Sequence, residues 1–139
     1  MRIFRYLDQS GKMGFGRFDQ EGNTFLILQK GDGDFEATDE RITPFQFLTP
    51  IDFRCIYAIG LNYRAHARET GLEVPKYPMV FMKAPTATQN PGDPIVLPRY
   101  LRSDKVDFEG ELGVVIGRPC KNVEPEEALS HVLGYVCAN

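Results

Sequence analysis

Asp107, Glu109 and Glu111 occupy every second position of the stretch VDFEGELGVVIG. In an extended chain this spacing projects all three carboxylates from one face, opposite Phe108, Gly110 and Leu112. Like charges in such a row repel unless water or a cation screens them. The Cα atoms of Glu109 and Glu111 would lie about 7 Å apart, and side chains of that length can converge on one ion with oxygen ligands at ~2.0–2.6 Å. All-oxygen ligation selects Mg²⁺, Mn²⁺ or Ca²⁺ over zinc or copper. Two carboxylates are too few for a complete site, so substrate, water and a further acid must fill it. Taken alone, alternating acids are more often the wet face of a sheet than a metal wall.

A second group with chemical potential lies in NYRAHARETG. His66 and Glu69 are spaced i,i+3 and share one face of a helix. A nearby carboxylate can orient an imidazole and favour its protonated form, which suits proton abstraction or water activation. A surface histidine with an incidental neighbour is the commoner origin of such a pair. Lys83 follows an apolar strand and could meet an anionic substrate, although most lysines are simply solvated. His131 falls in the last turn of a second helix, where a cation suits the dipole. Cys55, Cys120 and Cys137 are far apart, form no CxxC, and are expected to be buried, reduced thiols rather than nucleophiles.

The elements that must carry these residues follow from pattern. MRIFRYL, MGFGRFD and NTFLILQ are β-prone runs separated by the turn sequences DQSGK and DQEGN, which predicts a meander ending in the polar loop KGDGDFEATDE. ITPFQFLTPID, with two prolines, reads as a connector. CIYAIGL is a continuous apolar run of strand length and predicts a buried strand. NYRAHARETG opens a helix directly from it, with Asn62 suited to the N-cap and Gly71 to the C-terminal stop. LEVPKYP reads as a surface loop or lid. MVFMK and PIVLP predict two strands, the acidic stretch a longer one from about Lys105 to Ile116, VEPEEALSHV a helix with Pro125 in its first turn, and LGYVCAN a last strand. Mostly β order with two short helices favours an α+β, β-rich fold: a small N-terminal β domain over residues 1–50, then a second unit over 51–139.

Composition limits the partners. A chain of 139 residues is long enough for one ordinary domain, or for a small one plus part of another. A net charge of −3 with no Lys/Arg cluster gives no reason to expect nucleic acid or an anionic membrane as partner. The start MRIFRYLDQSGK has no apolar core of a signal peptide, and no run approaches the ~18 apolar residues of a membrane span. A cytoplasmic location is expected.

Four stretches in combination, YAIGLNYRAHARE, PMVFMKAPTA, VDFEGELGVVIGR and VLGYVCAN, resemble the fumarylacetoacetate hydrolase family, in the family's order and over roughly Arg54 to Asn139. The strings Asn-Tyr-x-x-His-x-x-Glu and Glu-x-Glu-Leu carry the resemblance, which is closest to prokaryotic hydroxydienedioate isomerase and acylpyruvase-like members. It implies the first part of the family's mixed β-roll, preceded by the small β domain found in many prokaryotic members. It also implies that Glu109 and Glu111 are two of three acidic ligands for Mg²⁺ or Mn²⁺, with Ca²⁺ able to take the site in crystals. Asp107 belongs to the string without being a ligand. His66 and Glu69 match the family's proton-transfer dyad, and the third metal ligand is expected just beyond Asn139. The implied chemistry is cleavage or isomerisation of a C–C bond beside a carbonyl in a small oxo-acid or dicarboxylate, through a metal-stabilised enolate. Acylpyruvate hydrolysis, oxaloacetate-type decarboxylation and hydroxydienedioate isomerisation all fit, in a homodimer or higher homo-oligomer. Residues 1–139 alone are expected to be inactive and to associate through strand edges. The alternatives are a non-catalytic, truncated member serving as a binding or assembly module, and a cation that merely staples structure.

Overall fold

A computed structural model of the chain describes residues 1–30 and 34–139. Five strands, β1 (Arg2–Leu7), β2 (Met13–Phe18), β3 (Thr24–Gln29), β4 (Phe35–Arg41) and β5 (Gln46–Leu48), form one antiparallel sheet in the order β4-β3-β2-β1-β5. The expected meander is there, and it is larger than its three legible strands. β4 occupies most of the stretch read as a polar loop, and β5 lies inside the proline-flanked connector, paired with β1 through Arg5–Leu48, Tyr6–Phe47 and Leu7–Gln46. Both are edge strands, where polar residues and nearby prolines are tolerated and periodicity is weak. Residues 31–33 of that predicted loop lie outside the described residues.

The two turns that close β1–β2 and β2–β3 use one chemistry twice. Asp8 Oδ1 accepts from the Ser10 and Lys12 amides, and Asp19 Oδ1 from those of Glu21 and Asn23. Each turn places a glycine, Gly11 at φ 81° and Gly22 at φ 87°, where a side chain would be strained. The Ser10 hydroxyl and then the Lys12 amide hold the Asp8 carboxyl below its ordinary pKa of 3.8. The Asn23 side-chain amide does the same for Asp19. Groups that release protons more readily when folded contribute stability above the ordinary carboxylate range and lose it as pH falls through their lowered folded values. Asp8→Ala and Asp19→Ala are therefore expected to lower the melting temperature at pH 7 and to flatten its fall between pH 5 and pH 2. Thermal melts across that range check this, and parallel acid limbs for variant and parent would reject it.

The core sits on this sheet. Phe4 is 8% exposed, Tyr6 7% and Ile27 2%. Phe4 stacks with Phe18 at 4.5 Å and meets Phe47 edge-on at 5.2 Å, so an aromatic cluster joins β2, β1 and β5. Its register partner is Gly16, where a Cβ would fall 2.4 Å from the Phe4 ring. The absent side chain is what lets the ring lie flat across the neighbouring strand. On the opposite face Arg5 is buried, with Nη1 donating to Asp52 Oδ1 at 2.8 Å and tying the sheet to the segment after β5.

After residue 51 the chain forms two separate antiparallel pairs. β6 (Ile56–Gly60) pairs with β7 (Met79–Lys83), and β8 (Glu111–Ile116) with β9 (Val132–Ala138). The strand expected to be buried is β6; within this chain Tyr57 and Ile59 are exposed, as is every residue of β7. PIVLP forms no strand. The acidic strand begins at Glu111 rather than near Lys105, so Asp107 and Glu109 precede it. The helix α2 (Pro125–Ala128) has Pro125 in its first turn as expected, and a 3₁₀ turn over Leu129–His131 carries His131. The three cysteines are free thiols, but all are exposed rather than buried. Among the described residues no helix is long and apolar enough to cross a membrane.

Candidate active site

The helix α1 (Arg64–Thr70) leaves β6 through a sharp turn in which Leu61 takes φ 52°. That left-handed conformation is uncommon for a side-chain-bearing residue and marks a local constraint. The N-cap is Tyr63, not Asn62, and its side chain makes no cap hydrogen bond. The Tyr63 carbonyl instead accepts the Ala67 amide at 3.1 Å, starting the helix. At the other end Gly71, at φ 70°, takes the predicted stop position, and the Leu72 amide closes onto the Ala67 carbonyl at 3.0 Å. Ala67 is fully buried, which fixes one side of α1 and leaves the other to solvent.

His66 and Glu69 share the face that the spacing predicted. His66 Nδ1 lies 3.8 Å from Glu69 Oε2, with the imidazole about half exposed and the carboxylate largely so. An exposed pair at this distance orients weakly. It leaves the ring free to meet a ligand arriving from solvent.

Two hydrogen bonds tie down the backbone beside Glu111 and at Glu109. The Leu112 amide, next to Glu111 on β8, donates to Tyr63 Oη at 3.0 Å and so joins that strand to the root of α1. The Glu109 amide donates to Asn139 Oδ1 at 2.8 Å, holding the segment before β8 against the end of β9. Glu111 pairs in register with Ala138, so both glutamates sit where β8 begins and β9 ends. Asp107 is used locally, its Oδ1 accepting the Phe108 amide at 2.8 Å. Lys83 ends β7, and its ammonium lies 5.6 Å from the centre of the Phe81 ring. Tyr63 and Asn139 were not legible as site residues. Tyr63 falls inside the Asn-Tyr-x-x-His string, but residue type alone does not say what its hydroxyl touches.

The glutamates suit a hard cation in kind. Their carboxylate oxygens have no hydrogen bond or ion pair among the described residues, and oxygen donors match Mg²⁺ or Mn²⁺. In number they fall short, since the described residues contain no group of three or more His, Cys, Asp or Glu placed to hold a metal.

Comparison with known proteins places the chain in a family. The family model described as fumarylacetoacetate (FAA) hydrolase C-terminal matches residues 55–139. A 2,4-didehydro-3-deoxy-L-rhamnonate hydrolase of Sphingomonas sp. is 52% identical over 84 residues, which are 60% of this chain and 29% of that protein. A caffeoylpyruvate hydrolase of Neonothopanus nambi is 34% identical over 145 residues, covering 96% of this chain and 50% of its own. The crystal structure of a 5-carboxymethyl-2-hydroxymuconate delta-isomerase from Mycobacterium smegmatis superposes with a TM-score of 0.67 at 34% identity, over 99% of this chain and 53% of that one. The chain thus spans about half the length, or less, of the relatives it matches. The likeness confirms the strand-rich α+β architecture, and by family match and by similarity over nearly its whole length the chain belongs to the fumarylacetoacetate hydrolase family.

Proposed function

We propose that the protein carrying this chain is a Mg²⁺- or Mn²⁺-dependent enzyme that cleaves or isomerises a C–C bond beside a carbonyl in a small oxo-acid or dicarboxylate. The observation that carries the reading is the link between α1 and β8. The helix bearing His66 and Glu69 is hydrogen-bonded at its root to the strand that opens with Glu111. A base and a hard-cation ligand on joined elements suit chemistry at an oxygen-rich substrate. The named relatives fit that substrate class, as two are hydrolases and one an isomerase.

Glu109 and Glu111 would hold the metal, with further oxygen ligands from outside the described residues. A metal bound there would supply Lewis-acid polarisation of an oxygen-rich substrate. The protein's own part is proton movement and orientation. His66 Nε2, the ring nitrogen away from Glu69, takes a proton from the carbon beside the carbonyl or from a water molecule. Glu69, on the Nδ1 side, orients the ring. Its exposure keeps this support modest. Homo-oligomerisation and a cytoplasmic setting belong to the same proposal.

Assaying the protein with an acylpyruvate, oxaloacetate and a hydroxydienedioate, before and after removal of metal by EDTA, tests the reading. Turnover of at least one substrate is expected, lost on chelation and restored by Mg²⁺ or Mn²⁺. Turnover that persists at full rate after chelation would overturn the metal assignment. No turnover of any of the three in metal-loaded protein would favour a binding or assembly module.

A further inference from the structure

We infer that Tyr63 is a positioning residue, whose phenol fixes the helix carrying His66 to the strand that begins with Glu111. Its consequence for rate rests on the functional reading above, but the contact itself does not. Three observations combine. First, Tyr63 Oη accepts the Leu112 amide at 3.0 Å, a bond between positions 49 residues apart in sequence. Second, Tyr63 is also the residue from which α1 starts, because its carbonyl accepts the Ala67 amide. One residue therefore holds the strand with its side chain and the helix with its backbone. Third, the turn immediately before it is constrained, with Leu61 at φ 52°, so the helix leaves β6 in a defined direction.

The arrangement also explains why Tyr63 occupies an N-cap position that favours Ser, Thr, Asp or Asn. A short polar side chain would satisfy the helix's own amides. A phenol reaches past them to the neighbouring sheet. The Leu112 amide is directed to Tyr63, away from β9, so the phenol also satisfies a strand-edge donor that has no partner strand among the described residues. That edge could be satisfied without any effect on the helix, and an experiment can separate the two roles.

Tyr63→Phe removes one oxygen from a partly exposed ring and keeps its shape, so the protein is expected to fold as before. Amide hydrogen exchange is then read at two positions. Loss of a hydrogen bond of ordinary strength should speed exchange at Leu112 by about 5-fold. If the phenol positions the helix, exchange at Ala67 should rise by a similar factor, because the helix root is released. With an oxo-acid that the parent protein turns over, kcat should fall by about 10-fold or more, since small misplacements of a reacting group cost on that order. KM and Mn²⁺ affinity should hold. Faster exchange at Leu112 alone, with kcat unchanged, would reduce Tyr63 to an edge cap and overturn the inference, as would unchanged exchange at both amides. Should the parent turn over no oxo-acid, the functional reading falls, and exchange at Ala67 by itself decides whether Tyr63 positions the helix.

Discussion

Replacing Glu109 and Glu111 together by alanine is expected to lower Mn²⁺ affinity by more than about 100-fold and to reduce turnover below detection. Loss of outer partners alone typically costs a metal site about 10- to 100-fold in affinity, and two directly ligating carboxylates should exceed that. The oxygen set around Mg²⁺ or Mn²⁺ is demanding in geometry, and waters replacing two carboxylates carry no charge to offset the ion's. The fold should persist. Glu109 is exposed, Glu111 is half-buried at the first position of β8, and neither carboxylate has a partner to lose. Surface changes of that kind usually move stability by no more than about 0.5 kcal/mol, and removing two neighbouring negative charges eases repulsion. Titration calorimetry with Mn²⁺ beside a thermal melt reads both quantities. Unchanged affinity in a cooperatively folded double variant would show that the metal, if any, is held elsewhere.

His66→Ala is expected to slow turnover by ~10²–10⁴-fold, the usual contribution of a positioned general base, while leaving Mn²⁺ affinity within a factor of two or so. The separation follows from placement. The imidazole sits on α1, while the glutamates flank the start of β8, so removing the ring takes away the base without touching the proposed ligands. Stability should change little, as the His66 ring is about half exposed and its contact with Glu69 is 3.8 Å across solvent. Glu69→Gln should cost less than His66→Ala, because it removes only the charge that steadies the ring. Steady-state kinetics on the preferred oxo-acid, with metal saturating, makes the comparison. Full activity in His66→Ala would remove the histidine from the chemistry, and a collapse of metal affinity would recast it as a ligand.

The order in which these residues occur, and the local elements that hold several of them, were legible in the amino-acid sequence. The i,i+3 spacing of His66 and Glu69 sets their shared helical face because helix geometry is local. Gly71 ends that helix because only a left-handed position suits the stop. The repeated Asp-x-x-Gly turns, the three strands they join and the last apolar strand follow from side-chain chemistry within a few residues of each other. Family membership rests on the same kind of information, the types and spacing of residues in four short stretches.

The tertiary structure decided what depends on neighbours distant in sequence. β8 pairs with β9 from Glu111–Ala138 to Ile116–Val132, a register between segments that no short-range pattern relates. A favourable pattern alone does not make a strand, as PIVLP shows. The reverse holds for β4 and β5, which their neighbours recruit from sequence that looked like loop and connector. CIYAIGL is apolar enough for a core strand, and its residues alternate between half-buried and exposed along β6 in this chain. The link from Tyr63 to Leu112 spans 49 residues, and no local rule reaches that far. The amino-acid sequence determined which residues could do the chemistry, because side-chain type and short-range spacing are local properties. Only the fold decided which of them are held together, because that is set by hydrogen bonds between segments that the chain brings close after long excursions.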